Sequence, residues 1–342
     1  MPDLKTWGYR LITEPRPGLG GSAMRAGLQA LSWGYGLGVR AARGLYDTRL
    51  RRPCRLPRPV VSVGNLTWGG TGKTPLTAHL ARALQLRGAR PAILLRGYGG
   101  DEPTVLRMLA PNVPVIVGAD RAAGGRAAIA GGADLLLLDD GFQHWRLHRD
   151  LDIVLLDAAA PFGNGHLLPR GSLREPVGAL RRAGVVVITK SDAADPAPVV
   201  ARVRALQPAA WVTTARYRPT AFTEWPSGTP QPLAALRGAR AAVLSGIADP
   251  ASFERLVQTL GVEPVLTRRF LDHHPYQTEE LTALAEAGRR EGAAWVVTTL
   301  KDAVRFPTTV AWGGVRVAVV RVTMEMAGEA ELLQRILFLR GR

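Results

Sequence analysis

An α/β fold with a largely parallel sheet, followed by a smaller α/β unit and preceded by a basic helix, is what this 342-residue sequence predicts. Three observations carry that expectation. Short continuous runs of valine, isoleucine and leucine recur over residues 59–189, as in strands buried on both faces of a parallel sheet. Segments of helical period alternate with these runs, so the strands are joined by right-handed crossovers. The alternation halts at a proline-rich stretch over 216–233, read as a linker or hairpin excursion, and then restarts. The expected division is 1–52, an N-terminal helical segment; 53–215, the first α/β unit; and 216–342, the second with its linker and last helix.

The N-terminal part is set apart by charge. The chain carries 44 basic and 28 acidic side chains, a net +16, and residues 1–60 hold 11 basic and 3 acidic ones, so 11 − 3 = +8 falls there. Within them an uncharged run from Ala26 to Val39 contains Leu28, Leu31, Trp33, Tyr35 and Leu37 and precedes an arginine cluster. Fourteen residues are too few to cross a bilayer, which takes about 20. Two readings stay open: a helix in a membrane interface with arginines on lipid phosphates, or an amphipathic helix packed on the protein. Asp3 and Glu14 interrupt the first residues, which lack the apolar centre of a signal peptide. The single cysteine, Cys54, excludes an internal disulfide and a thiolate zinc cluster, and the expectation is a cytoplasmic protein.

The strand runs are PVVSV (59–63), PAILL (91–95), DLLLLD (134–139), DIVLLD (152–157) and GVVVIT (184–189). After the first comes GNLTWGGTGKT, and Thr74-Pro75 then opens a helix with Leu76, Leu80 and Leu84 on one stripe and Gly88 as its stop. Strand, glycine-rich turn and helix in that order make a P-loop. The glycine that the pattern wants first is replaced by Thr67. Gly69, Gly70, Thr71 and Gly72 are expected to bring backbone N–H groups around phosphate oxygens, Lys73 to reach the β and γ phosphates, and Thr74 to hold Mg²⁺. Asp139 and Asp140 end the DLLLLD strand, at the carboxyl edge where open α/β sheets bind ligands. Both are expected on the metal side, one holding Mg²⁺ through water and the other adjusting a nucleophile or serving as a second metal ligand, with a helix N-cap as the alternative role, more so for Asp140. Only four of the 44 cations are lysine, and Lys73, Lys190 and Lys301 each follow an apolar run, where a compact point charge does what a guanidinium cannot. Beyond the proline-rich stretch, AAVLSG, EPVLTRRF, AAWVVTTLKD and VRVAVVRV supply the second unit's strands, and AGEAELLQRILFLRGR the last helix.

Taken in order, GNLTWGGTGKTP, RGYGG with GDEP, LDDGFQH, HRDLDIVLLDA, PFGNGHLLPRGSLREP and FLDHHPY resemble the tetraacyldisaccharide 4′-kinase family from about residue 18 onward. The resemblance implies ATP- and Mg²⁺-dependent phosphorylation of the 4′-hydroxyl of an acylated glucosamine disaccharide 1-phosphate, at the cytoplasmic face of the inner membrane. It implies a catalytic aspartate at Asp101, a histidine partner at His273, and Glu175 as a further candidate for the metal shell. With Asp101 in the first unit and His273 in the second, the pair is expected to assemble when a hinge closes. Two departures stand out. RGYGG and DEP are fused where the family has a loop, and Leu300 stands where relatives carry an acid. A nucleotide switch is the alternative, because Thr189-Lys190-Ser191-Asp192 follows a strand like the guanine-reading loop of GTPases. No nucleic-acid partner is expected, since the basic charge comes without an aromatic-rich basic strand, and no protein partner is inferred.

Overall fold

A computed structural model of the chain describes residues 19–97 and 100–341. The start of the basic N-terminal segment and Tyr98-Gly99 of RGYGG lie outside the described residues. Helix α1 (Leu19–Asp47) opens the described chain. The five apolar runs become β1 (Val60–Asn65), β2 (Pro91–Leu95), and, beyond the short edge strand β3 (Val115–Val117), β4 (Leu135–Asp139), β5 (Leu151–Asp157) and β6 (Val185–Thr189). All of these pair in parallel. Helices α2 (Lys73–Gln85), α3 (Asp101–Leu109), α4 (Arg121–Ala130) and α5 (Ala197–Leu206) make the crossovers. Leu76, Leu80 and Leu84 of α2 are fully buried with Val61, Ile93 and Leu137 of the sheet, and each such leucine is worth roughly 2 kcal/mol.

The proline-rich stretch is no free linker. Strand β7 (Trp211–Trp225) runs through it and turns into β8 (Thr229–Gln231), the hairpin alternative. Residues 211–214 of β7 pair in parallel with β6, whereas residues 215–225 pair antiparallel with the final strand β12 (Arg316–Met326). The boundary expected after residue 215 therefore falls inside a strand. Beyond it lie β9 (Arg240–Ser245), α6 (Pro250–Thr259), β10 (Glu263–Arg269), α7 (Thr278–Arg290), β11 (Trp295–Thr299), the single turn α8 (Leu300–Ala303) and α9 (Glu329–Leu339). The result is one 12-stranded sheet in the order β10-β9-β11-β12-β7-β6-β5-β1-β4-β2-β3, with β8 beside β7. Helix α9 packs back on the first half, where Leu332, Leu333 and Ile336 join the core beneath α2.

Helix α1 packs on the protein along one side of its apolar run. Ser32 donates to the Leu167 carbonyl at 2.9 Å and Tyr35 to that of Arg174 at 2.9 Å, and Gly36 lies so close to Leu167 that a Cβ would meet its methyl. Leu31, Trp33 and Leu37 on the other side are exposed. No helix among the described residues is long and apolar enough to cross a membrane.

Candidate active site

The loop between β1 and α2 explains its own sequence. Thr67 pairs in an antiparallel bridge with Leu173, and Trp68 N–H donates to the Ser172 carbonyl at 2.6 Å. This extended backbone makes no demand for glycine at Thr67. The demand comes at Gly69 and Gly72, whose φ angles of 129° and 93° are left-handed. Helix α2 begins at once after Gly72, with no side chain capping its first N–H groups, which leaves them and the helix dipole for an anion. Thr189 Oγ1 donates to the Thr71 carbonyl at 3.1 Å, so the strand end of the alternative motif braces the loop.

Asp139 comes beneath this helix start. Its Oδ2 accepts from Thr74 Oγ1 at 3.0 Å and its Oδ1 from Thr77 Oγ1 at 2.9 Å. Burial, and then the neighbouring Asp140, push its pKa up. Asp140, at a left-handed φ of 52°, is not a helix cap: Arg174 donates to both of its oxygens at 2.8 and 2.7 Å, and Lys73 Nζ stands 3.7 Å away. Burial would raise its pKa, but Lys73 and Arg174 outweigh burial and lower it. The two aspartates thus differ: one is held by hydroxyls, the other by cations. Glu175 is buried and its Oε1 takes hydrogen bonds from Arg182 at 2.9 Å and Gln143 at 3.1 Å, so it is already paired with a guanidinium.

Asp101 opens α3, after Gly100 in a left-handed conformation. Its Oδ1 lies 3.0 Å from His273 Nδ1 and accepts from the Glu102 N–H at 3.0 Å. Oδ2 makes no hydrogen bond, and Arg305 Nε is 3.7 Å from it. The pair is joined in this structure, where the turn carrying His273 at a left-handed φ of 61° reaches across to α3. Burial works against the Asp101 carboxylate, but the bond from His273, aided by Lys301 and Arg305, brings its pKa down. His273 is raised, chiefly by Asp101. Lys301 Nζ donates to Asp272 Oδ1 at 2.7 Å and lies 3.3 Å from His273 Nε2. Next to Asp101, Glu102 is pushed up to about 7 by burial and then by Asp139.

A cavity of about 330 Å³ lies between the two halves of the sheet; Glu175 lines a separate pocket beside α1, and Asp101 and Asp139 sit behind the cavity wall. Lys73, Thr74 and Asp140 line its first side, His273 and Lys301 its second. Lys190 lines it too, bonded at 2.6 Å to Asp157 at the end of β5 and at 2.6 Å to Asp249 before α6, so it ties one half to the other. Asp192, which a guanine-reading loop would present to the base, is exposed. Leu300 is buried in the apolar cluster of the second half. Sequence reasoning missed Glu102, Arg174, Tyr217 and Arg305. Glu102 and Arg174 adjoin the named Asp101 and Glu175, but nothing local marks Tyr217 or Arg305; a Cβ on Gly72 would strike the Tyr217 hydroxyl, a contact set by β7.

The family described as LpxK, tetraacyldisaccharide-1-P 4′-kinase, matches residues 24–100 and 99–339, with the break where RGYGG meets DEP. A tetraacyldisaccharide 4′-kinase of Anaeromyxobacter dehalogenans (strain 2CP-C) is 46% identical over 87% of this chain and 86% of its own length. That of Anaeromyxobacter sp. (strain Fw109-5) is 41% identical over 96% and 94%. Among solved structures, an "apo" form of LpxK from Aquifex aeolicus in complex with ATP aligns with a TM-score of 0.73 at 28% identity, covering 92% of this chain and 99% of that one. With a match over nearly the whole described length, the chain belongs to the tetraacyldisaccharide-1-P 4′-kinase family.

Proposed function

We propose that this protein transfers the γ-phosphate of ATP to the 4′-hydroxyl of a tetraacylated glucosamine disaccharide 1-phosphate. The observation that carries the reading is the convergence on one cavity of the Lys73–Thr74 helix start and the His273 side chain bonded to Asp101. Family membership supplies the acceptor. The backbone N–H groups of Gly70 to Thr74 hold the phosphates, and Lys73 balances their charge.

Magnesium suits the residues present. Thr74 Oγ1 and the Asp139 carboxylate are hard oxygen donors bonded to each other, and Mg²⁺ takes one or two protein carboxylates, leaving its other positions to water and phosphate. Thr74 and Asp139 would hold it, with Asp140 beside them; Glu175, paired with Arg182 and facing a separate pocket, is not placed in that shell. Bound there, Mg²⁺ would neutralise negative charge on the phosphates.

Asp101 accepts the proton of the sugar hydroxyl as its oxygen bonds to the γ-phosphorus and the bond to the bridging oxygen of ADP breaks. Oδ1 is engaged by His273 and the Glu102 N–H, so Oδ2 takes the proton. The Asp101 side chain is fully covered. Motion between the halves would open this covered pair to the acceptor. Exposed Leu31, Trp33 and Leu37 bring α1 and the cavity to the inner-membrane surface where the acceptor resides. The test is transfer of label from [γ-³²P]ATP to the purified disaccharide lipid, with ³¹P NMR locating the new phosphate. A 4′-phosphomonoester formed only with Mg²⁺ supports the reading; ATP hydrolysis unaffected by the lipid, with no labelled lipid, contradicts it.

A further inference from the structure

His273 has two ring nitrogens with different neighbours, and only one arrangement of protons satisfies both. A lysine ammonium donates and never accepts, and a doubly protonated imidazole offers no lone pair. Lys301 Nζ, 3.3 Å from Nε2, is therefore a hydrogen-bond partner only while Nε2 is unprotonated. The ring proton of the neutral form must then sit on Nδ1, where it points to Asp101 Oδ1 at 3.0 Å. We propose that Lys301 is a positioning residue that donates to His273 Nε2, fixes the imidazole as its Nδ1–H tautomer, and opposes addition of a second proton. The inference rests on the kinase reading for its catalytic meaning, though not for its chemistry.

The geometry around Lys301 is built for this. Asp272 Oδ1 anchors Nζ at 2.7 Å, and Asp272 and His273 are consecutive on a turn that holds His273 at a left-handed φ of 61°, uncommon outside glycine. One ammonium can donate to both at once from a single atom, which a planar guanidinium cannot do as compactly. That accounts for a lysine here in a chain where only four of 44 cations are lysine. The charged groups facing the ring are Asp101 and Glu102 from α3, Asp272 on its own turn, and Lys301 and Arg305 from the segment after β11; the adjacent His274 is held by Glu280. Asp101 favours the imidazolium and Lys301 disfavours it. When neutral and aimed by Nδ1–H, the ring leaves Asp101 as an ionised acceptor whose Oδ2 has no hydrogen-bond partner.

The test is ¹⁵N-detected titration of the His273 ring in the full-length protein without nucleotide or lipid, for the natural chain, Lys301→Met and Lys301→Arg. The natural chain should show the Nδ1–H tautomer at pH 8. Lys301→Met should mix the tautomers and raise the protonation midpoint by about one pH unit, a tenfold gain in proton affinity, and the acid limb of its kcat profile should move up with it. Lys301→Arg, which keeps charge and donor, should restore most of the midpoint. Unchanged tautomer and midpoint in Lys301→Met, or identical shifts in both variants, would overturn the proposal. Absence of lipid phosphorylation by the natural chain would instead fault the kinase reading and leave the ring measurement standing.

Discussion

Glu102 makes a local conflict measurable. Its carboxyl is raised from 4.5 to about 7, first by burial and then by Asp139, so the folded protein binds a proton that the unfolded chain has lost. The sign follows: stability is unaffected below the unfolded value of 4.5, falls as pH rises, and is lowest above about 7. A shift from 4.5 to about 7 corresponds to a cost of at most about 3.4 kcal/mol. Glu102→Gln should therefore raise Tm at pH 8 in nucleotide-free protein and change it little at pH 4.5, by thermal melts at both. An equal effect at the two values would place the cost in packing instead of charge. The same scale shows what sequence could not supply. Lys73, Thr74, Asp139, Asp140, Asp101 and His273 stood in recognisable stretches; Arg174 did too, but its partner Asp140 is chosen by the fold, and Arg305 is one arginine among many. Glu175 was legible as an acid in a family stretch, but its pairing with Arg182 was not.

Among the elements, strands buried on both faces read clearly, because a continuous run of branched side chains fits little else. Strands β1, β2, β4, β5 and β6 lie within one residue or so of their apolar runs. Strand β7 did not read, since Pro219 and a mixed pattern suggest a break, and its strand character comes from β12, about a hundred residues later in the chain. A non-local partner leaves no local period. Helix α1 was legible as amphipathic but not as to which face met what: Ser32 and Tyr35 bond to the loop over 167–174, and Leu31, Trp33 and Leu37 stay outside. Replacing those three by serine should cut partitioning onto anionic liposomes and raise the apparent KM for lipid, with the KM for ATP near normal. Gly36→Leu, aimed at Leu167, should instead lower Tm by a few degrees, as expected for about 1–3 kcal/mol of overpacking. Unchanged liposome binding in the serine variant would make the exposed face incidental.

Across the whole molecule, a single sheet carries both sides of the cavity, and Lys190 spans them through Asp157 and Asp249. Its use as a tie between the halves, with Asp192 turned to solvent, removes the guanine-reading function from Thr189–Asp192. ATP should exceed GTP by at least about tenfold in kcat/KM, about 1.4 kcal/mol, and Asp192→Asn should leave that ratio alone; a GTP preference lost in Asp192→Asn would restore the switch reading. Asp101 and His273 come from opposite halves and are joined at 3.0 Å. If they act as one unit, their losses must not multiply. The decisive measurement is the kcat cycle of Asp101→Ala, His273→Ala and the double variant with ATP and the disaccharide lipid. Each single change should lower kcat by about 10²-fold or more with ATP affinity preserved, and the double variant should be scarcely worse than the worse single one. Fully multiplicative losses, or near-normal kcat in Asp101→Ala, would contradict the account and return catalysis to Asp139 and Asp140.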